Sequence, residues 1–189
     1  MMTASTTFDS ARMRRARVAV SLAFFAFGTQ LGLWFAHIPE VARRLVLEPA
    51  QLGLGILGMG VVGLVMQPVA GLAIARIGSR RTTIALLSAF VIAVTLLIGA
   101  PSQPLFFVFA ALVGLVGMPA NIGMNTLAAE FEHRHGRAVM SSFHGFFSVG
   151  GLVGSLLGGA LIAADHGDGR GALVVGIAIA RRIARFTPR

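Results

Sequence analysis

Two asparagines four residues apart, Asn121 and Asn125, stand in an otherwise apolar stretch of this chain. An amide donates and accepts at once, so such a pair on one helical face can hold a hydroxylated or zwitterionic ligand. It can equally tie two helices together, for about 0.6 to 2 kcal/mol each. Gln30, Trp34 and His37 form a second set on one face of an earlier apolar run. Gln30 lies deeper and suits a polar cavity, whereas Trp34 and His37 fit either a lined path or an interfacial belt. His144, with Ser141 and Ser142 one turn earlier, opens a later run. Its imidazole can relay a proton or make a structural hydrogen bond.

Absences narrow the chemistry further. No Asp or Glu lies within any apolar run, so no carboxylate is available there to carry protons. The phosphate-cradling Gly-x-x-x-x-Gly-Lys loop, His-Glu-x-x-His and Gly-x-Ser-x-Gly are all missing. His133 and His135 sit two apart in a polar stretch with no third ligand, which reads as a solvated loop. Zero cysteines exclude disulfides and thiolate metal sites. The residues therefore predict neither an enzyme nor a cofactor or metal.

The elements that position these side chains follow from composition. The chain is 56% hydrophobic and 12% charged, with mean hydropathy +0.82, too little polar surface to coat a soluble globule. Its natural solvent is the lipid bilayer. A net charge of +9 would point a soluble chain towards nucleic acid, but the arginines are confined to the ends of apolar runs, and no nucleic-acid partner is expected.

Apolar runs over 18–38, 52–75, 82–100, 105–128 and 139–164 each approach or exceed the roughly 20 residues that cross a bilayer, after a polar tail at 1–16. A shorter run, 171–180, reaches only about 15 Å before the basic tail 181–189. It is either a thin sixth span or the mark of a truncated chain. The fold class is therefore an all-α membrane protein, a helical bundle of five to six transmembrane spans.

Pro39 marks the end of the first span, followed by an exterior loop 39–51. The second is rich in glycine and is kinked at Pro68, where Gln67 satisfies the freed backbone. The third, with no ionisable group, reads as a lipid-facing filler. The fourth starts with Phe106, Phe107 and Phe109 near the interface and ends in the polar loop 130–137. In the fifth, Gly150, Gly154 and Gly158 recur every four residues, with Gly151, Ser155 and Gly159 one position on, giving a broad face for close packing.

Between the second and third spans lies Gly71-Leu-Ala-Ile-Ala-Arg76-Ile-Gly78-Ser-Arg80-Arg81. Placing this loop in the cytoplasm puts thirteen arginines on that side and three (43, 44 and 170) outside, which obeys the positive-inside rule. The stretch resembles the loop after the second helix of the major facilitator superfamily, roughly Gly-x-Leu-Ala-Asp-Arg-x-Gly-Arg-Arg. Gly71, Arg76, Gly78, Arg80 and Arg81 fit, and Ala75 stands where the family has an acid. The segment from Asn121-Ile-Gly-Met-Asn125 through Gly136-Arg137 to Met140-Ser-Ser-Phe-His144-Gly-Phe-Phe-Ser-Val-Gly150-Gly151 resembles the fourth and fifth spans of the sugar-permease-like branch, the fucose permease relatives. Similar sequences often carry an acid where Asn121 stands.

The resemblance implies one half of the MFS fold over residues 17–180, the N-terminal bundle, in the cell inner membrane with a cytoplasmic N-terminus. It implies a secondary transporter moving a small solute by alternating access, with spans one and four lining a central cavity and the arginine loop acting in the gate. The solute and a missing C-terminal bundle, or a second copy, are the partners it requires. The rival expectation is a non-transporting membrane protein, a remnant or a helix-bundle partner that uses its glycine faces.

Overall fold

In a computed structural model of the chain, residues 4–136, 138–164, 171, 174, 175, 177 and 178 are described, with side chains from Met13 onward except His135. The described residues form five main helices: α1 (Ala4–Leu45), α2 (Pro49–Ile77), α3 (Ser79–Ile98), α4 (Gln103–His135) and α5 (Met140–Ala163). From Met13 onward, each is long and apolar enough to cross a membrane. Most of 171–180, and the turn and tail around it, fall outside the described residues.

The packing partners show that successive helices alternate in direction. Gly28 and Gly32 of α1 lie against Phe147 and Gly151 of α5, while Gly158 meets Ala36 and His37. Contacts that climb together in number mean that α1 and α5 run parallel. The same holds for α2 and α4, where Gly55 faces Phe106 and Gly63 faces Met118. Between α3 and α4 the order reverses, Phe90 against Gly117 and Thr83 against Gly123. One end of the bundle therefore gathers the starts of α1, α3 and α5, here called the near end; the far end gathers the starts of α2 and α4.

The core lies along α1 and α3. Phe27 stacks on Phe90 with ring centroids 4.4 Å apart, and Phe24 on Phe143 at 5.7 Å. Leu87, Phe90, Val94, Leu97 and Ile98 of α3 are buried, so α3 is a core helix rather than a lipid-facing filler. Glycines opposite its larger side chains make room for them. By contrast, α2 and α5 present Leu54, Leu57, Leu64, Leu152 and Leu156 to the outside.

Several element boundaries differ from the hydropathy reading. The polar start of the chain is helical from Ala4. α1 continues through Pro39 to Leu45, because the added turns find partners: Arg43 Nη2 pairs with Glu40 Oε2 at 2.6 Å, and Arg44 donates to Ile98 O and Ala100 O at the end of α3. The loop expected over 39–51 shrinks to 46–48. Residues 130–135 likewise extend α4, and Gly136 ends it with φ at 60°, a left-handed conformation that favours glycine. Phe106 is fully buried beside Trp34, not at an interface.

Candidate functional site

The arginine loop is compressed to a single residue. α2 ends at Ile77, α3 begins at Ser79, and Gly78 joins them with φ 86° and ψ 152°, a combination essentially restricted to glycine. Its N–H donates to Ile74 O, and its own carbonyl accepts from Thr82 N and Thr82 Oγ1. Gly71, Arg76, Arg80 and Arg81 are exposed at the near end.

Two carboxylates that the sequence reading left in solvent are built into this end. Ser79 is buried, and its Oγ donates to Glu130 Oε2 at 2.9 Å. Glu132 Oε1 accepts from the backbone N–H groups of Val139 and Met140, the latter at 3.0 Å. Each acid therefore sits at a helix start, where the macrodipole favours negative charge. The signal that could have revealed them is an acid pair ahead of a helix start at Met140 whose preceding residue, Val139, has no capping side chain, so that its first N–H groups need an acceptor.

Asn125 Nδ2 donates to Asn121 O at 2.9 Å and to Asn121 Oδ1 at 3.1 Å. The two amides are thus paired within α4 rather than to another helix. Both are half-buried, and among the described residues Asn121 Nδ2 and Asn125 Oδ1 have no partner. The pair is prearranged, with one donor group and one acceptor still available. Met118, one turn earlier on the same face, is exposed.

His144 is exposed on α5, edge-on to the Phe24 ring with centroids 5.3 Å apart. Ser148 Oγ donates to His144 O, and Ser142 Oγ to Val139 O, so neither serine engages the imidazole. Among the described residues no hydrogen bond joins His144 to either asparagine.

Gln30, Trp34 and His37 share one face of α1, but that face is turned into the bundle, with exposures of 0%, 2% and 0%. They are neither an open path nor an interfacial belt here. The outward position on this part of α1 is Phe35, 60% exposed, which polarity alone gave no reason to single out. Gln67, half-buried in α2, lies where the helix continues unbroken past Pro68.

A family model described as Major Facilitator Superfamily matches residues 18–180. An uncharacterized MFS-type transporter of Yersinia pestis is 34% identical over 145 residues, covering 74% of this chain and 36% of that protein. An uncharacterized transporter of Sinorhizobium fredii is 30% identical over 136 residues, 72% of this chain and 36% of the relative. Membrane protein MosC of Rhizobium meliloti is 30% identical over 151 residues, 80% and 36% respectively. The chain thus spans little more than a third of the length of the curated relatives it matches. No solved structure matches it significantly.

Proposed function

The chain belongs to the major facilitator superfamily, and we propose that it forms the N-terminal bundle of a secondary active transporter moving a small, sugar-like solute by alternating access. The observation that carries this reading is the Asn121–Asn125 pair. Each amide is held by the other, half-buried, and keeps one hydrogen-bonding group open, which suits a hydroxyl that both donates and accepts. His144 is a further candidate contact. Gln30 and Trp34 support the α1 wall from behind.

In this reading the near end is cytoplasmic, in the inner membrane, and the exposed Arg76, Arg80 and Arg81 belong to the gate. They engage helix ends or carboxylates of a second bundle, supplied by the remainder of a longer polypeptide or by a second copy. Transport belongs to the two bundles together.

The test is uptake of a panel of radiolabelled monosaccharides by cells expressing the polypeptide of the complete reading frame. Asn121→Leu and Asn125→Leu each lower uptake of the accepted sugar about tenfold, the scale of one lost hydrogen bond to a buried polar group. Arg76→Ala lowers uptake without lowering the amount in the membrane. Normal uptake in the asparagine variants would exclude the pair from the solute site.

A further inference from the structure

Three buried polar atoms on α1 lack a partner. Both amide atoms of Gln30 and Nε2 of His37 are enclosed without a hydrogen bond, and both residues are 0% exposed. Seven residues separate them, two turns or about 10 Å along one helical face. Trp34 lies between, its ring 6.5 Å from that of Phe106.

The remaining imidazole nitrogen fixes the chemistry of the unpartnered one. Nδ1 lies 2.8 Å from Leu33 O. A carbonyl oxygen only accepts, so Nδ1 carries the hydrogen, and in the neutral ring Nε2 is a bare lone pair. It needs a donor. Gln30 needs one donor and one acceptor.

The hydroxyl hydrogens on and against this stretch of α1 are committed elsewhere, Thr29 Oγ1 to Phe25 O and Ser155 Oγ to Gly32 O, so neither supplies the donor that His37 Nε2 needs. Polar atoms in an apolar interior almost always find a protein or water partner, because leaving them dry is unfavourable. A molecule that both donates and accepts and is small enough to be enclosed in a packed interior is water.

We infer that Gln30 and His37 form an internal water-binding site within the bundle, separate from the solute path. Water at one end of the site donates to His37 Nε2, and water at the other, two turns away, donates to Gln30 Oε1 and accepts from Gln30 Nε2. The surrounding positions of the same face, Ala26, Leu33, Trp34 and Val41, are at most 2% exposed, so the site is closed from outside. Its occupancy is independent of which solute the transporter carries.

The test is solid-state NMR of the isotopically labelled chain in lipid bilayers, reading magnetisation transfer from water to side chains. The wild-type chain shows His37 with its hydrogen on Nδ1, and transfer from water to both the His37 ring and the Gln30 amide. Exposed His144 serves as the positive control and fully buried Phe90 as the dry one. In Gln30→Leu the transfer to His37 weakens; in His37→Phe the Gln30 amide still receives it. Transfer at His144 but none at Gln30 and His37 would overturn the site, as would a hydrogen found on Nε2 of the neutral ring. The wild-type measurement decides the matter even where a variant fails to fold.

Discussion

Ser79 Oγ, in the first turn of α3, donates to Glu130 Oε2 on α4 at 2.9 Å. Two residues further along α4, Glu132 accepts from the first N–H groups of α5. Two residues turn a helix by about 200°, so one helix end serves neighbours on opposite sides. The far end mirrors this with donors: Arg44 reaches Ile98 O at the end of α3 and Ala100 O just past it, and Gln103 Nε2 reaches Leu45 O at the end of α1 and Val46 O just past it. Negative groups meet helix starts and donors meet helix ends, each in line with the macrodipole.

Glu132 is accordingly a cap supplied from another helix. Glu132→Ala should destabilise the start of α5 by about 1 to 2 kcal/mol. Amide hydrogen exchange of the chain in micelles checks it. Protection should fall at Val139 and Met140 and stay unchanged around Gly154; equal loss along α5 would point to a general fault instead.

The glycines divide into two kinds that a substitution can separate. A Cβ at Gly150 would run into Phe25 O, and one at Gly154 into Thr29 O, whereas Gly60 and Gly159 have open space. Gly150→Ala and Gly154→Ala should each cost about 1 to 3 kcal/mol because α1 and α5 must separate. Gly60→Ala and Gly159→Ala should be neutral or stabilising by up to about 1 kcal/mol. Unfolding midpoints in mixed micelles provide the comparison, and equal midpoints for the two kinds would refute close packing at the α1–α5 seam.

Hydropathy made the spans visible, because twenty apolar residues have few alternatives to crossing a bilayer. The i, i+4, i+8 glycines of α5 also announced a packing face, which proved to be the one against α1. Direction within the bundle was less legible. Gln30 and Trp34 looked like cavity residues because polarity in a span is informative, yet polarity does not say whether the partner is solute, another helix or internal water. The helical extensions at 39–45 and 130–135 were hidden for a related reason: their charges resemble loop composition, and only tertiary partners such as Ile98 O and Ser79 Oγ reveal why they stay helical. The paired geometry of Asn121 and Asn125 was implied by spacing, but its closure within one helix was not.

The two glycines of the arginine loop do different work. Gly78 sits at φ 86°, so Gly78→Ala should cost about 1 to 3 kcal/mol in backbone strain alone. Gly71 is exposed within α2 with nothing near a Cβ, so Gly71→Ala should leave folding unchanged or slightly improved. Unfolding midpoints measured on the two variants side by side check this, and similar losses would show that Gly71 packs against something beyond this chain.

Orientation in the membrane can be read directly, because the chain has no cysteine of its own. Val46 is 79% exposed in the short turn between α1 and α2 at the far end, and Ser141 is exposed at the near end of α5. Among the described residues eight arginines (12, 14, 15, 17, 76, 80, 81 and 134) lie towards the near end and two (43 and 44) at the far end, so the near side should be cytoplasmic. A membrane-impermeant maleimide added to spheroplasts should therefore label Val46→Cys at once and Ser141→Cys only after permeabilisation. The reverse order would invert the bundle and remove the arginine loop from any cytoplasmic gate.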